Sequence, residues 1–169
     1  MPVTDAIIGA ETPILVTGAA GFIGKSVVRT LLENGFRDVR CFVRPSRDPS
    51  PIEALECSLG VRARIQAIRG NLLSREDCLA ATRNVAVVYH LAAGTEEKSF
   101  SNVFMNSVVA SRNLMDAFLE VGRPKRFVNV SSFAVYSNLS LKCGTLLDET
   151  CPLEDAPQER YDAYCFVCP

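Results

Sequence analysis

Pro13-Ile14-Leu15-Val16-Thr17-Gly18-Ala19-Ala20-Gly21-Phe22-Ile23-Gly24 is the stretch from which the fold can be worked out. Its apolar run reads as a buried strand and breaks at Gly18. An amphipathic helix follows, with Ile23, Val27, Val28, Leu31 and Leu32 on one face. Strand, glycine turn and helix in that order form a dinucleotide-binding element. The first glycine permits the tight turn, the second lets backbone approach a pyrophosphate, and the third lets helix and strand pack closely. Unpaired N–H groups and the positive end of the helix dipole then face the phosphates. The spacing is Gly-x-x-Gly-x-x-Gly rather than Gly-x-Gly-x-x-Gly. A glycine triplet alone also fits an ordinary strand-to-helix turn; the flanking strand and helix favour the dinucleotide reading.

Working outward, the first helix is predicted over Phe22 to Asn34, with Gly35 just past its end. Val39 to Val43 alternates and forms strand two. Ser50-Pro51-Ile52-Glu53 has the form of a capping box with proline at the first helical position, opening a short helix that ends at Gly60. Arg64 to Ile68 is strand three, and Ser74 caps a helix running to about Thr82. Val85 to Leu91 is almost wholly apolar, as in a central strand covered on both faces. A long helix spans Phe100 to Val121, its inner stripe made of Leu114, Met115, Phe118 and Leu119, and Gly122 with Pro124 stops it. Arg126 to Ser131 is strand five; a Pro-, Asp- and Glu-rich loop follows, and helix resumes at Tyr161. Five strands alternating with helices imply a doubly wound parallel α/β sheet in the order 3-2-1-4-5, with ligand at the carboxyl ends of strands one and four.

Composition narrows the field. At 169 residues with 48% apolar content, one domain with a real core is expected: residues 1–12 as a disordered lead-in and 13–169 as the dinucleotide-binding domain. A net charge of −1 gives no reason to expect nucleic acid or an anionic membrane as partner. No segment is long and apolar enough to span a bilayer, and Met1 to Thr12 lacks a basic leader. Seven scattered cysteines (Cys41, Cys57, Cys78, Cys143, Cys151, Cys165, Cys168) read as reduced thiols of a cytoplasmic protein. Cys165-x-x-Cys168 leaves a redox or metal role open, but a zinc site needs further ligands, and His90 is the only histidine. No metal is expected.

Several segments resemble, in order, those of the extended short-chain dehydrogenases/reductases. That superfamily includes NAD(P)-dependent nucleotide-sugar epimerases and dehydratases, dihydroflavonol reductases and 3β-hydroxysteroid dehydrogenases. Besides Thr17 to Gly24, they are His90-Leu91-Ala92-Ala93 after strand four, Asn106 to Leu114 in the long helix, Val130-Ser131-Ser132-Phe133-Ala134-Val135-Tyr136 after strand five, and Asp148-Glu149-Thr150-Cys151-Pro152-Leu153 beyond it. The resemblance implies hydride transfer between nicotinamide and an alcohol or ketone of a sugar, steroid-like or flavonoid-like substrate. It makes Ser132 the hydroxyl that polarises the substrate oxygen. It makes Tyr164 the acid/base phenol, with Tyr161 as rival. A phenol titrates near pH 10, so a neighbouring cation must favour the phenolate at neutral pH. The family supplies a lysine four residues on, but here Cys168 follows Tyr164 and Cys165 follows Tyr161. With the sixth strand and substrate region of complete members missing, a dinucleotide-binding fragment crippled in catalysis is the alternative expectation.

The resemblance also implies the cofactor contacts: Gly18, Ala20, Gly21, Phe22, Ile23 and Gly24 at the glycine corner; Asn71 and Leu72 near adenine; Leu91, Ala92, Ala93, Asn106, Ser131 and Tyr164 toward nicotinamide. Where NAD sites usually carry Asp or Glu about 20 residues past the glycines, strand two ends in Arg44, with Ser46 and Arg47 beyond. A guanidinium suits a 2′-phosphate, so NADP is the expected cofactor and NAD the second choice. The partners expected are a dinucleotide and a small-molecule substrate; an oligomer is possible.

Overall fold

The computed structural model describes residues 7–59, 64–94, 99–137, 141–142 and 144–156. Five strands form one parallel sheet in the order β3-β2-β1-β4-β5, as the alternation of elements predicts. They are β1 (Ile14–Thr17), β2 (Asp38–Val43), β3 (Arg64–Arg69), β4 (Val87–His90) and β5 (Arg126–Asn129). The crossovers are α1 (Phe22–Glu33), α2 (Ser50–Leu59), α3 (Arg75–Thr82) and a long segment from Phe100 to Val121. The register aligns Thr17 with Phe42 on one side and with His90 on the other, which brings the carboxyl ends of β1, β2 and β4 to one edge.

Side chains alternate across this sheet and build two cores. On one face Ile14, Val16, Val39, Cys41 and Val43 pack against Val28, Leu31 and Leu32 of α1 and Ile52 and Leu55 of α2. On the other, Leu15, Phe42 and Val88 meet Cys78 and Ala81 of α3 and Ala110, Leu114, Ala117 and Phe118 of the long helical segment. Each large side chain so buried contributes about 1.5–3 kcal/mol. Arg40 crosses to the second face and donates to the carbonyls of Arg83 (2.7 Å) and Ala81 (3.3 Å), a cation closing the C-terminus of α3.

Four local expectations differ from the structure. Ile23 does not join the buried stripe of α1: it is 56% exposed, and Gly24 takes the inward position at that turn. Ser50 is not the cap of α2 but its first residue; the carboxylate of Asp48 accepts from the Ser50 N–H (3.0 Å) and hydroxyl (2.7 Å). The long helix has its expected span, but is α4 (Phe100–Phe104), a π-helical turn (Met105–Val109) and α5 (Ala110–Val121). The inner stripe of α5 is Ala110, Leu114, Ala117 and Phe118, with Met115 and Leu119 turned outward at 43% and 64% exposure. Ser74 does cap α3, accepting from the Asp77 N–H at 3.2 Å.

Ahead of β1, Ala10 O accepts from the Arg37 N–H at 2.8 Å and Ile8 packs against the first core. Within residues 7–12, then, the expected lead-in is tied to the sheet. Gly60 and the helix expected from Tyr161 lie outside the described residues. Past β5 the chain makes a 3-10 turn (Phe133–Val135), and Tyr136 forms an antiparallel bridge with Leu153.

Candidate cofactor-binding site

A groove of about 440 Å³ runs along the carboxyl edge of the sheet, within the usual size range of small-molecule sites. Its centre is the glycine corner. Gly18 sits at φ +66°, and a Cβ there would lie 2.9 Å from Ala92 N and the Leu91 carbonyl carbon. A Cβ on Gly24 would come 2.2 Å from Gly18 O and 2.7 Å from the Ala19 Cα, so only glycine lets α1 approach β1 this closely. Gly21 differs: its φ is −73°, and a Cβ would meet only Gly18 O, at 3.1 Å, with the groove beyond.

The start of α1 has no side-chain cap and no acid in its first turn. By contrast α3 begins with Ser74 and carries Glu76 and Asp77. The first N–H groups of α1 therefore keep their donor capacity at the positive end of the helix dipole, where an anion is favoured. Glycine cradle, open groove and uncapped helix together fit a pyrophosphate.

At the ends of β2 and β3 the groove is lined by Phe42, Val43, Arg44, Arg47, Gly70, Asn71 and Leu72. Among the described residues no carboxylate belongs to the lining. Asp48, close along the chain, is committed to Ser50, and those hydrogen bonds hold its carboxyl below the ordinary range. Asn71 Oδ1 accepts from the Leu73 N–H (3.0 Å), while Asp77 accepts from the Asn71 N–H (2.7 Å). Asn113 of α5 reaches across to donate to the carbonyls of Leu72 (3.1 Å) and Leu73 (3.3 Å).

The opposite wall is Leu91, Ala92, Ala93 and Gly94, with Asn106 and Ala110 behind it. Thr17 Oγ1 accepts from the N–H groups of Leu91 and Ala92, both at 3.3 Å, and lies 2.7 Å from His90 Nδ1. His90 Nε2 lies 2.8 Å from Ser111 Oγ, which donates to the Ser107 carbonyl; Ser107 Oγ in turn accepts from the Gly94 N–H at 3.0 Å. Burial pushes the His90 imidazole down to a pKa of about 4, so the ring is neutral at pH 7. Asn106 donates back to Asn102 O at 3.0 Å within the same helix.

Of the residues expected at the cofactor, the groove gathers Gly18, Ala20, Gly21, Phe22, Arg44, Asn71, Leu72, Leu91, Ala92, Ala93 and Asn106. Gly24 is buried behind the corner, and Ile23 and Ser131 do not line the groove. Ser132 lies past the carboxyl end of β5, and its Oγ accepts from the Ala134 N–H at 3.2 Å. That bond caps the 3-10 turn and orients the hydroxyl. Tyr164, its rival Tyr161, Cys165 and Cys168 lie outside the described residues. Among the described residues no cluster of His, Cys, Asp and Glu could hold a metal ion, and no helix is long and apolar enough to cross a membrane. Burial pushes the thiols of Cys41 and Cys78 up to about 12 and about 11.

Phe42, Val43, Gly70 and Ala110 line the groove without having been singled out in the sequence. Gly70 carried a readable signal, because a glycine directly after a strand marks close approach. A Cβ there would sit 2.7 Å from the Phe42 ring.

Residues 14–164 match the family model described as the NAD dependent epimerase/dehydratase family. Cinnamoyl-CoA reductase 1 of Oryza sativa subsp. japonica is 32% identical over 144 residues, covering 85% of this chain and 41% of that protein. A 3 beta-hydroxysteroid dehydrogenase/Delta 5-->4-isomerase of Mycobacterium tuberculosis is 31% identical over 156 residues, covering 88% of this chain and 38% of that protein. UDP-glucuronic acid 4-epimerase from Bacillus cereus, solved in complex with NAD, superposes with a TM-score of 0.63 at 27% identity, covering 92% of this chain and 48% of that one. The chain thus spans about two fifths of the length of those curated relatives. With a doubly wound parallel sheet, the glycine corner and a family match over nearly its whole length, the chain belongs to the NAD dependent epimerase/dehydratase family.

Proposed function

We propose that residues 13–169 form the dinucleotide-binding region of an oxidoreductase that uses NADP in preference to NAD. The observation that carries this reading is the uncapped start of α1 above Gly18 and Gly21, a corner with donors and no side chain in the way. Phe22 and Ile23 contribute backbone there, and Gly24 lets the helix seat. Arg44 and Arg47, in a lining without carboxylates among the described residues, support a 2′-phosphate as the group bound beyond β2. Asn71 and Leu72 border the adenine, and Leu91, Ala92, Ala93 and Asn106 the nicotinamide half; only the family resemblance adds Ser131 and Tyr164 there.

When bound, the nicotinamide supplies or accepts hydride. Ser132, oriented by its bond to Ala134, donates its hydroxyl hydrogen to the substrate oxygen. Tyr164 exchanges the proton. The substrate class is an alcohol or ketone of a sugar or steroid-like molecule, as the names of the relatives suggest, or of a flavonoid-like one, as the family resemblance implies. A second reading, a dinucleotide-binding chain with crippled chemistry, is favoured by Cys168 where the family pattern has lysine. A neutral or anionic sulfur cannot favour the phenolate as a cation does. Among the described residues Cys41, Cys78 and Cys151 are free thiols, the first two buried, which fits a cytoplasmic setting.

The test is a titration of the chain with NADPH and with NADH, repeated on Arg44→Ala. NADPH is expected to bind at least tenfold more tightly, a difference that Arg44→Ala reduces severalfold. Equal or tighter binding of NADH would overturn the NADP assignment. Hydride turnover at a rate ordinary for enzymes would overturn the second reading.

A further inference from the structure

The wall formed by Leu91 to Gly94 carries no β ladder, yet the N–H groups of Leu91, Ala92 and Gly94 all have side-chain acceptors. The acceptors are two hydroxyls, Thr17 on β1 and Ser107 in the π-helical turn. They belong to one polar chain: Thr17, His90, Ser111, the Ser107 backbone, and back to the wall through Ser107 Oγ. The chain thus holds the wall at both ends.

The direction of every hydrogen bond in it follows by elimination. Ser111 Oγ–H is spent on the Ser107 carbonyl, so toward His90 the serine can only accept. His90 Nε2 must therefore carry the ring proton, and Nδ1 is the acceptor. Thr17 then donates to Nδ1 and has both lone pairs left for Leu91 and Ala92. Each contact in the circuit then has one donor and one acceptor. Of its four side chains none lines the groove, and His90, with Phe127 as its ring neighbour at 5.9 Å, is 2% exposed.

We propose that His90, with one proton fixed on Nε2 and linked through Ser111 to the π-helical turn, is a positioning residue that sets the wall Leu91–Gly94 for the nicotinamide half of the dinucleotide. The π-helical turn has its place in this arrangement. It turns Ser107 inward, where its Oγ reaches Gly94, and a Cβ on Gly94 would sit only 3.2 Å from the Asn106 Cβ and Val103 Cα. The assignment rests on the dinucleotide reading of the groove.

Its test uses the full chain and the variants Ser111→Ala, Ser111→Thr and Ser107→Ala. Amide hydrogen exchange at Leu91, Ala92 and Gly94 reads the wall, and the affinities for NADPH and for 2′,5′-ADP, which lacks the nicotinamide half, read the function. Ser111→Ala is expected to speed exchange at all three amides and weaken NADPH about tenfold, leaving 2′,5′-ADP within about twofold. Ser111→Thr, which restores the hydroxyl, should recover both. Ser107→Ala should speed exchange at Gly94 alone. Equal weakening of NADPH and 2′,5′-ADP in Ser111→Ala, or no weakening of either, would overturn the assignment. Amides already unprotected in the parent chain would overturn the circuit itself. Failure of the parent chain to bind either nucleotide, with protected amides, would instead overturn the dinucleotide reading on which the assignment rests.

Discussion

Acid should unfold this protein earlier than its carboxylates alone would dictate, through His90. The imidazole is buried between Thr17 and Ser111, both uncharged, and its pKa falls from 6.5 to about 4. In the unfolded chain it takes up a proton near pH 6.5; in the folded protein it resists until about pH 4. Because the folded state holds the lower pKa, stability is unaffected above pH 6.5 and declines as pH falls through the interval. At about 1.4 kcal/mol per pH unit, the gap between 6.5 and about 4 amounts to about 3 kcal/mol lost by pH 4. That is a large share of the 5–15 kcal/mol typical of a domain. Since His90 is the only histidine, no other imidazole contributes in that window. Urea unfolding of the parent chain and of His90→Phe at pH 7.5, 6.5, 5.5 and 4.5 would isolate the effect. The variant starts less stable, because its hydrogen bonds are gone, but its stability should fall with acid by about 2–3 kcal/mol less between pH 6.5 and 4.5. Parallel curves for the two proteins would refute the reasoning.

Two further substitutions probe parts of the framework. Gly24→Ala forces a methyl to within 2.2 Å of Gly18 O and should cost about 2–3 kcal/mol or prevent folding, measured by chemical denaturation; a loss below about 1 kcal/mol would mean that α1 does not seat as described. Asn113→Leu removes the donor that Leu72 and Leu73 share and should cost about 1–2 kcal/mol while deprotecting amides of the β3–α3 loop; unchanged exchange there would contradict the brace.

The parts of this fold that could be read from the sequence are those written in contiguous residues. Ile14 to Gly24 carries strand, turn and helix within one stretch, and Ser74 sits where its hydroxyl reaches its own third neighbour. The strand order followed from alternation and the handedness of crossovers. What could not be read depends on phase and on distant partners. Met115 and Leu119 are apolar, but α5 packs through Ala110 and Ala117, small residues that allow close approach to the sheet and α3. The π-helical turn adds a residue to one turn and resets which residues face inward, and the apolar spacing of Phe100, Phe104 and Val108 continues smoothly across it on the exposed side. Asp48 outcompetes Ser50 as the acceptor at α2 because a carboxylate accepts both the N–H and the hydroxyl. The circuit through Thr17, His90, Ser107 and Ser111 contains hydrogen bonds between residues up to 75 positions apart and has no local signature.

The central claim is that the glycine corner binds a dinucleotide through backbone donors, and amide chemical shifts during an NADPH titration test it most directly. The account predicts saturable shifts centred on Gly18, Gly21 and Phe22, weakened at least tenfold by Gly21→Val, whose side chain would project into the groove. Unmoved amides at that corner in a folded sample, or a Gly21→Val chain that binds as well as the parent, would contradict it.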